Sequence, residues 1–264
     1  MSTRFDRDTA VHAVGEGVFT GTIDPGWFVV RGPNGGYVAA LLLRGLVAAV
    51  DDPTRAPRSL TVHFTAPPEA GPVRIQTAIE RCGRSLTTAS ARLLQDGRLL
   101  ALALGSFSRP RDGMSFDETR CPDVPPPEQC ARLEARIPVH ARYDARRAFG
   151  GELFAGGERA EGGGWIRLSD GDRPLDAPLL AAYADAWPPA VFARLAAPGL
   201  TGGIPTVDLT VHFRETLGAD RSGDFALARF RTRRAHEGFL EEDGQIWSRN
   251  GRLLAQSRQL ALML

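Results

Sequence analysis

Apolar and polar residues change places at every step in Leu60-Thr61-Val62-His63-Phe64 and again in Leu209-Thr210-Val211-His212-Phe213, the period of a half-buried strand. Before the first of these, Val18–Ile23 reads as a strand, Asp24-Pro25-Gly26 as a turn and 27–30 as a second strand. Gly32-Pro33-Asn34-Gly35-Gly36 breaks the chain. Residues 37–50, dense in Ala and Leu and free of proline, then read as a helix apolar nearly all round, which must be buried. Strands follow at 58–64, 73–81, Leu86–Gln95 and 99–108, separated by Pro-Pro, Gly and Asp-Gly turns.

The second half repeats this order. Strands are expected at 141–152 and 164–168, a helix at 175–195 interrupted by Pro188-Pro189, and strands at 206–214, 225–235, 239–248 and 252–264. A second sequence match supports a tandem duplication: Asp96-Gly97-Arg98-Leu99-Leu100-Ala101 recurs as Asn250-Gly251-Arg252-Leu253-Leu254-Ala255. Only two copies occur, which argues against a solenoid. The expected organisation is an N-terminal unit at 1–108, a proline-rich linker at 109–140, and a C-terminal unit at 141–264.

Composition narrows the function. With 32 Lys+Arg against 31 Asp+Glu, nothing favours a polyanion, so no nucleic-acid partner is expected. Apolar runs at 37–43 and 46–50 are split by Arg44 and Gly45 and fall short of the roughly 20 residues of a membrane span. Residues 1–10 are charged and lack the apolar core of a targeting segment. Cys82, Cys121 and Cys130 are odd in number and lack C-x-x-C spacing, which fits reduced thiols in a cytoplasm and no metal. Without a Gly-x-Ser-x-Gly elbow, a serine hydrolase is disfavoured, and Gly156-Gly157 and Gly162-Gly163-Gly164 read as loops.

One residue conflicts with its surroundings. Asp185 sits within Leu179-Leu180-Ala181-Ala182-Tyr183-Ala184-Asp185-Ala186-Trp187, where an ionised carboxylate costs several kcal/mol unless compensated. Taken alone it is either a structural hydrogen-bond acceptor or a catalytic group. Its counterpart in the first half is Gly36, and that of Gln259 is Gly105, so chemistry is expected in the second half only. His63 and His212 recur on the polar side of their strands and read as sheet-surface residues, and Asp208 reads as solvated or capping. Arg146-Arg147 and Arg233-Arg234 read as solvated charge, with the phosphates of a ligand as the alternative role.

In element order, helix character and repeat, the chain resembles the double hotdog fold. This α+β architecture has two antiparallel sheets, each wrapped around a central helix, joined as an intrachain pseudo-dimer. It is similar to the acyl-CoA thioesterase II family, whose members carry an Asp on the second helix, a Thr entering the following strand and a Gln on the last strand. Asp185, Thr206 and Gln259 match these in order. The resemblance implies hydrolysis of acyl-CoA without a cofactor or an acyl-enzyme. Thr206 and Gln259 would hold a water that Asp185 deprotonates. A backbone N–H at a helix start, at Gly35-Gly36 or before Asp185, would meet the oxyanion. Because duplication covers one interface only, further self-association into a homo-oligomer is expected. The alternatives are a hotdog hydratase or dehydratase and a non-catalytic acyl-thioester-binding protein. The former resembles Asp followed five residues later by His, where this chain has Ala190. Acyl length, and CoA against acyl carrier protein, stay open.

Overall fold

The two copies of the pentapeptide lie side by side in the computed structural model, which describes residues 2–196, 203–215, 217 and 221–264. Antiparallel pairing sets Leu209 opposite Val62, Thr210 opposite Thr61 and Val211 opposite Leu60. A half-turn about a point between Thr61 and Thr210, whose Oγ1 atoms are 3.0 Å apart, therefore carries each residue onto its repeat. Gly36 and Asp185 stand in the same relation: like Thr61 and Thr210 they are 149 positions apart, and they touch.

The strands are β1 (His12–Gly15), β2 (Val18–Ile23), β3 (Ala56–Phe64), β4 (Gly71–Cys82), β5 (Leu86–Gln95), β6 (Arg98–Ser108), β7 (Ala131–Arg132), β8 (Tyr143–Phe149), β9 (Ala160–Leu168), β10 (Thr206–Phe213), β11 (Ala226–Thr232), β12 (Ala235–His236), β13 (Phe239–Trp247) and β14 (Leu253–Leu262). They form one antiparallel sheet in the order β1-β2-β4-β5-β6-β3-β10-β14-β13-β11-β9-β8-β7, with β12 paired to β13. Outward from the β3–β10 seam, β3-β6-β5-β4-β2-β1 is answered by β10-β14-β13-β11-β9-β8. The two expected sheets are thus joined edge to edge, each half covering the strand edge that the other would expose. The segment expected as a linker contributes the short edge strand β7, which pairs with β8.

Among the described residues three α-helices accompany the sheet: α1 (Arg4–Asp8), α2 (Gly35–Val50) and α3 (Ala177–Tyr183). The long apolar helix is buried continuously from Gly36 to Leu43 and packs on β3, β4, β5 and β6. The repeat suggests that the two main helices flank the sheet on opposite sides, but α2 and α3 pack directly on each other. Each would otherwise leave an apolar face uncovered. Small residues allow the approach: a Cβ on Gly36 would lie 2.6 Å from the Ala182 carbonyl oxygen and 3.0 Å from that of Ala181.

Two local expectations also change. The helix expected over 175–195 ends at Tyr183, because Pro188 and Pro189 offer no N–H and the residue before a proline avoids helical angles. After the prolines the chain resumes only as a 3₁₀ turn, Ala190–Ala193. The strand expected at 27–30 is absent: Pro25–Trp27 is a 3₁₀ turn, closed by Asp24 Oδ1 accepting from the Gly26 N–H at 2.8 Å. Trp27 is buried against Tyr37 with stacked rings 5.0 Å apart, and its indole N–H donates to Asp8. The connector at 199–203 lies, Gly203 apart, outside the described residues. Among the described residues no helix is long and apolar enough to cross a membrane.

Candidate active site

Three stretches of chain bring polar groups into the apolar interior beside the α2–α3 contact. On β13 the inward positions are Leu240, Glu242, Gly244 and Ile246, so strict alternation drives a glutamate into the core. Glu242 is 4% exposed and stands directly opposite Gln259 of β14, itself 6% exposed. Thr206, first residue of β10, pairs with Ala261, two positions along β14 from Gln259 and on the same face.

These side chains form a connected network. The Thr206 hydroxyl donates to Gln259 Oε1 at 2.9 Å, and Gln259 Nε2 donates to Glu242 Oε1 at 2.9 Å. Glu242 Oε2 accepts from the Ala190 N–H at 2.6 Å. Ala190 supplies the first backbone donor after two prolines, which explains why that amide is free to turn inward.

Asp185 approaches from the other side, in the turn that follows α3 rather than within a helix as expected. Its Oδ2 accepts from Asn34 Nδ2 at 2.9 Å and from the Gly36 N–H at 3.0 Å, while its carbonyl accepts from the same Asn34 Nδ2 at 2.6 Å. Asn34 caps α2, its Oδ1 accepting from the Tyr37 N–H at 3.1 Å, so both ends of its amide are engaged. The carboxylate therefore sits at the N-terminus of a buried 16-residue helix, where free N–H groups and the helix dipole favour negative charge. Gly36, expected to face a substrate oxygen, instead turns its N–H to Asp185. Gly35 also faces that carboxylate, where a Cβ would lie 2.9 Å from Oδ2.

Both acids are held above the usual carboxylate range. Burial pushes the Asp185 pKa up to about 6, against the pull of the Gly36 and Gly35 N–H groups and of the Gln259 and Asn34 side chains. Burial likewise raises Glu242 to about 7, opposed by the Ala190 N–H and Gln259 and reinforced by the negative charges of Asp185 and Glu241. Gln259 thus interacts with both carboxyl groups as well as Thr206. Asp185 and Thr206 keep part of their surface open, whereas Gln259 and Glu242 are enclosed behind them. Tyr143, on the wall of a cavity of about 450 Å³, is stacked edge-on to Tyr183 at 5.7 Å and feels the Asp185 charge.

The structure brings together Asp185, Thr206, Gln259, Gly35 and Gly36. Sequence reasoning missed Asn34 and Glu242. Glu242 left a signal, since a strand register fixed by Leu240 and Ile246 buries every second residue between them, Glu242 included. Asn34 signalled a helix cap and nothing about Asp185. His63 and His212 lie exposed on the sheet surface, as expected. Arg146 is paired with Asp144, and Arg233 with Asp243. Among the described residues no group of three or more His, Cys, Asp or Glu could hold a metal ion.

Residues 23–108 match the family model for the acyl-CoA thioesterase N-terminal domain, and residues 118–263 match that for the acyl-CoA thioesterase C-terminal domain. A conserved protein of unknown function with a hot dog fold from Alicyclobacillus acidocaldarius superposes with a TM-score of 0.86 at 31% identity, over 100% of this chain and 99% of that one. An acyl-CoA thioesterase II from Mycobacterium marinum shares the fold at a TM-score of 0.77 and 20% identity, over 98% of each chain. An uncharacterised Mycobacterium tuberculosis protein is 25% identical over 93% of this chain and 91% of its own length.

Proposed function

Because the chain belongs to the acyl-CoA thioesterase family, we propose that it hydrolyses acyl-CoA by direct attack of water, with Asp185 as general base in a double hotdog frame. The observation that carries this is Asp185, mostly buried but with part of its surface open, its pKa raised by burial to about 6, and in reach of Gln259 of the Thr206–Gln259 pair. A base of that pKa is ionised at neutral pH yet basic enough to accept a proton as the water attacks.

The hydrogen bonds support a division of labour. Thr206 spends its proton on Gln259 Oε1, which leaves the hydroxyl oxygen as an acceptor for one hydrogen of the water. Asp185 Oδ2 is committed to Asn34 and Gly36, so we assign the second hydrogen to Oδ1. The water oxygen then bonds to the thioester carbon as Asp185 takes its proton. The tetrahedral intermediate collapses with loss of the C–S bond, and the departing thiolate takes the proton back, giving free acid and CoA thiol. Gln259 acts on Thr206 in this reading, not on the water itself.

The 141–264 unit supplies Asp185, Thr206 and Gln259, while the 1–108 unit supplies Asn34, Gly35 and Gly36 to hold the base. One centre per chain follows, since Gly36 and Gly105 replace two of these side chains in the first half. The proposed setting is the cytoplasm, with self-association through surfaces outside the β3–β10 seam. Thiol release from saturated acyl-CoAs of increasing chain length tests the reading. Turnover with at least one chain length is expected. Hydration of an enoyl-CoA without thiol release would replace it with the lyase, and binding without turnover would replace it with a carrier.

A further inference from the structure

Gln259 can serve Thr206 only in one of its two amide orientations, and the two differ by a half-turn that leaves the shape of the side chain unchanged. With Oε1 toward Thr206, the hydroxyl has an acceptor for its proton. With Nε2 there instead, the hydroxyl becomes the acceptor, and the lone pair assigned to the water is consumed. Thr206 itself accommodates either arrangement, so the choice falls to the carboxyl groups that face the amide: Asp185 on the open side and Glu242 on the enclosed side, where Nε2 makes its 2.9 Å bond.

There Glu242 presents two acceptor oxygens to two donors, Gln259 Nε2 at 2.9 Å and the Ala190 N–H at 2.6 Å. It is 4% exposed, and its side-chain bonds run to Gln259 and the Ala190 amide. The Ala190 amide anchors one oxygen, which aims the other along the β13–β14 pair at the residue directly opposite. We infer that Glu242 is a positioning residue that fixes the Gln259 amide with its oxygen toward Thr206, and so sets the hydrogen-bond polarity of the catalytic water site. The inference rests on the proposed thioesterase reading and deepens it.

This role explains why a carboxylate occupies an inward strand position between Leu240 and Ile246, where an apolar residue would pack at no electrostatic cost. It also explains why an amide cannot replace it. A glutamine at 242 carries one acceptor and one donor group, and faces two donors. It either leaves the Ala190 N–H unpaired or turns its own NH₂ toward Gln259, which then reverses and withdraws the acceptor from Thr206.

The test is a cycle of E242Q and Gln259→Ala, assayed by thiol release alongside Asp185→Asn, with thermal melting to verify folding. E242Q is expected to lower kcat by about 10- to 100-fold, as loss of positioning does, with KM within about threefold of wild type. In the Gln259→Ala background, E242Q should change kcat by less than about twofold, because the amide it orients is gone. A Glu242 that merely supports the fold would lower kcat by the same factor in both backgrounds. Glu242→Leu, which takes from Gln259 Nε2 the acceptor at position 242, should repeat the pattern and stands in if E242Q does not fold. Loss of activity in Asp185→Asn with wild-type kcat in folded E242Q overturns the role of Glu242 alone. Wild-type activity in Asp185→Asn overturns the proposed mechanism, and the role of Glu242 with it.

Discussion

Replacing Asp185 by Asn should stabilise the protein, and increasingly so as pH rises. The amide keeps the volume of the carboxyl group, and its oxygen can still accept from Asn34 Nδ2 and the Gly36 N–H, which meet at one oxygen in the wild type. What it removes is the charge. The Asp185 pKa rises on folding from 3.8 to about 6. At 1.36 kcal/mol per unit, ionising it in the folded state costs about 3 kcal/mol more than in the unfolded chain. Because the folded pKa is the higher one, the stability linked to this proton is fully present below about 4 and is lost as pH climbs through about 6. Asparagine does not titrate. The advantage of Asp185→Asn over wild type should therefore widen by about 2–3 kcal/mol between pH 4 and pH 8. Removing the Asp185 charge also eases ionisation of Glu242, which acts in the same direction. Urea unfolding followed by tryptophan fluorescence at unit pH steps measures the gap. A difference that stays constant with pH, or narrows above pH 6, would refute the assignment of a raised pKa to a buried, catalytically poised carboxylate.

For the wild type, kcat/KM should rise with pH through about 6 and level off above it, because the base must be ionised; a profile flat from pH 5 to 8 would exclude Asp185 as the titrating group. Thr206→Ala and Gln259→Ala should each slow turnover, and the double variant should lose less than the product of the two, since the 2.9 Å hydrogen bond makes them act together. Gly36→Ala places a methyl group 2.6 Å from the Ala182 carbonyl oxygen and 3.0 Å from Asp185 Cβ. It should cost about 1–3 kcal/mol by overpacking and lower kcat by displacing the base, and unchanged stability in chemical denaturation would show that the α2–α3 contact is looser than described.

Much of this arrangement is legible in the sequence because the duplication preserves the inward pattern of both halves. The pentapeptides Leu60–Phe64 and Leu209–Phe213 carry the same alternation, and a strand that buries the same face twice can pair with its own copy across a two-fold axis, as β3 and β10 do. Asp185 stands out because a carboxylate within Leu179–Trp187 needs compensation, and Gln259 and Thr206 follow once the family pattern is laid on the chain. What compensates Asp185 is not legible. Asn34 and Gly36 lie 151 and 149 positions away, and only the packing of α2 on α3 brings them to it. The helix expected over 175–195 is shorter in the structure because the Leu- and Ala-rich run favours helix up to Trp187, whereas Pro188 and the bonds made by Asp185 end it at Tyr183. The turn expected at Asp24-Pro25-Gly26 forms, but the strand expected at 27–30 does not: Trp, Phe and Val favour strands, while the Asp24–Gly26 bond and the burial of Trp27 against Tyr37 carry the 3₁₀ turn on to Trp27.

The account turns on whether Asp185 deprotonates the attacking water. Single-turnover hydrolysis of an acyl-CoA that the wild type cleaves, followed by thiol release at pH 8 with wild type and Asp185→Asn at saturating enzyme, measures the chemical step apart from binding. The rate constant should fall by about 10²–10⁴-fold in Asp185→Asn while the variant still binds the substrate and melts no lower than wild type. A rate within about threefold of wild type would contradict the account, because an amide in that position has no basicity to offer.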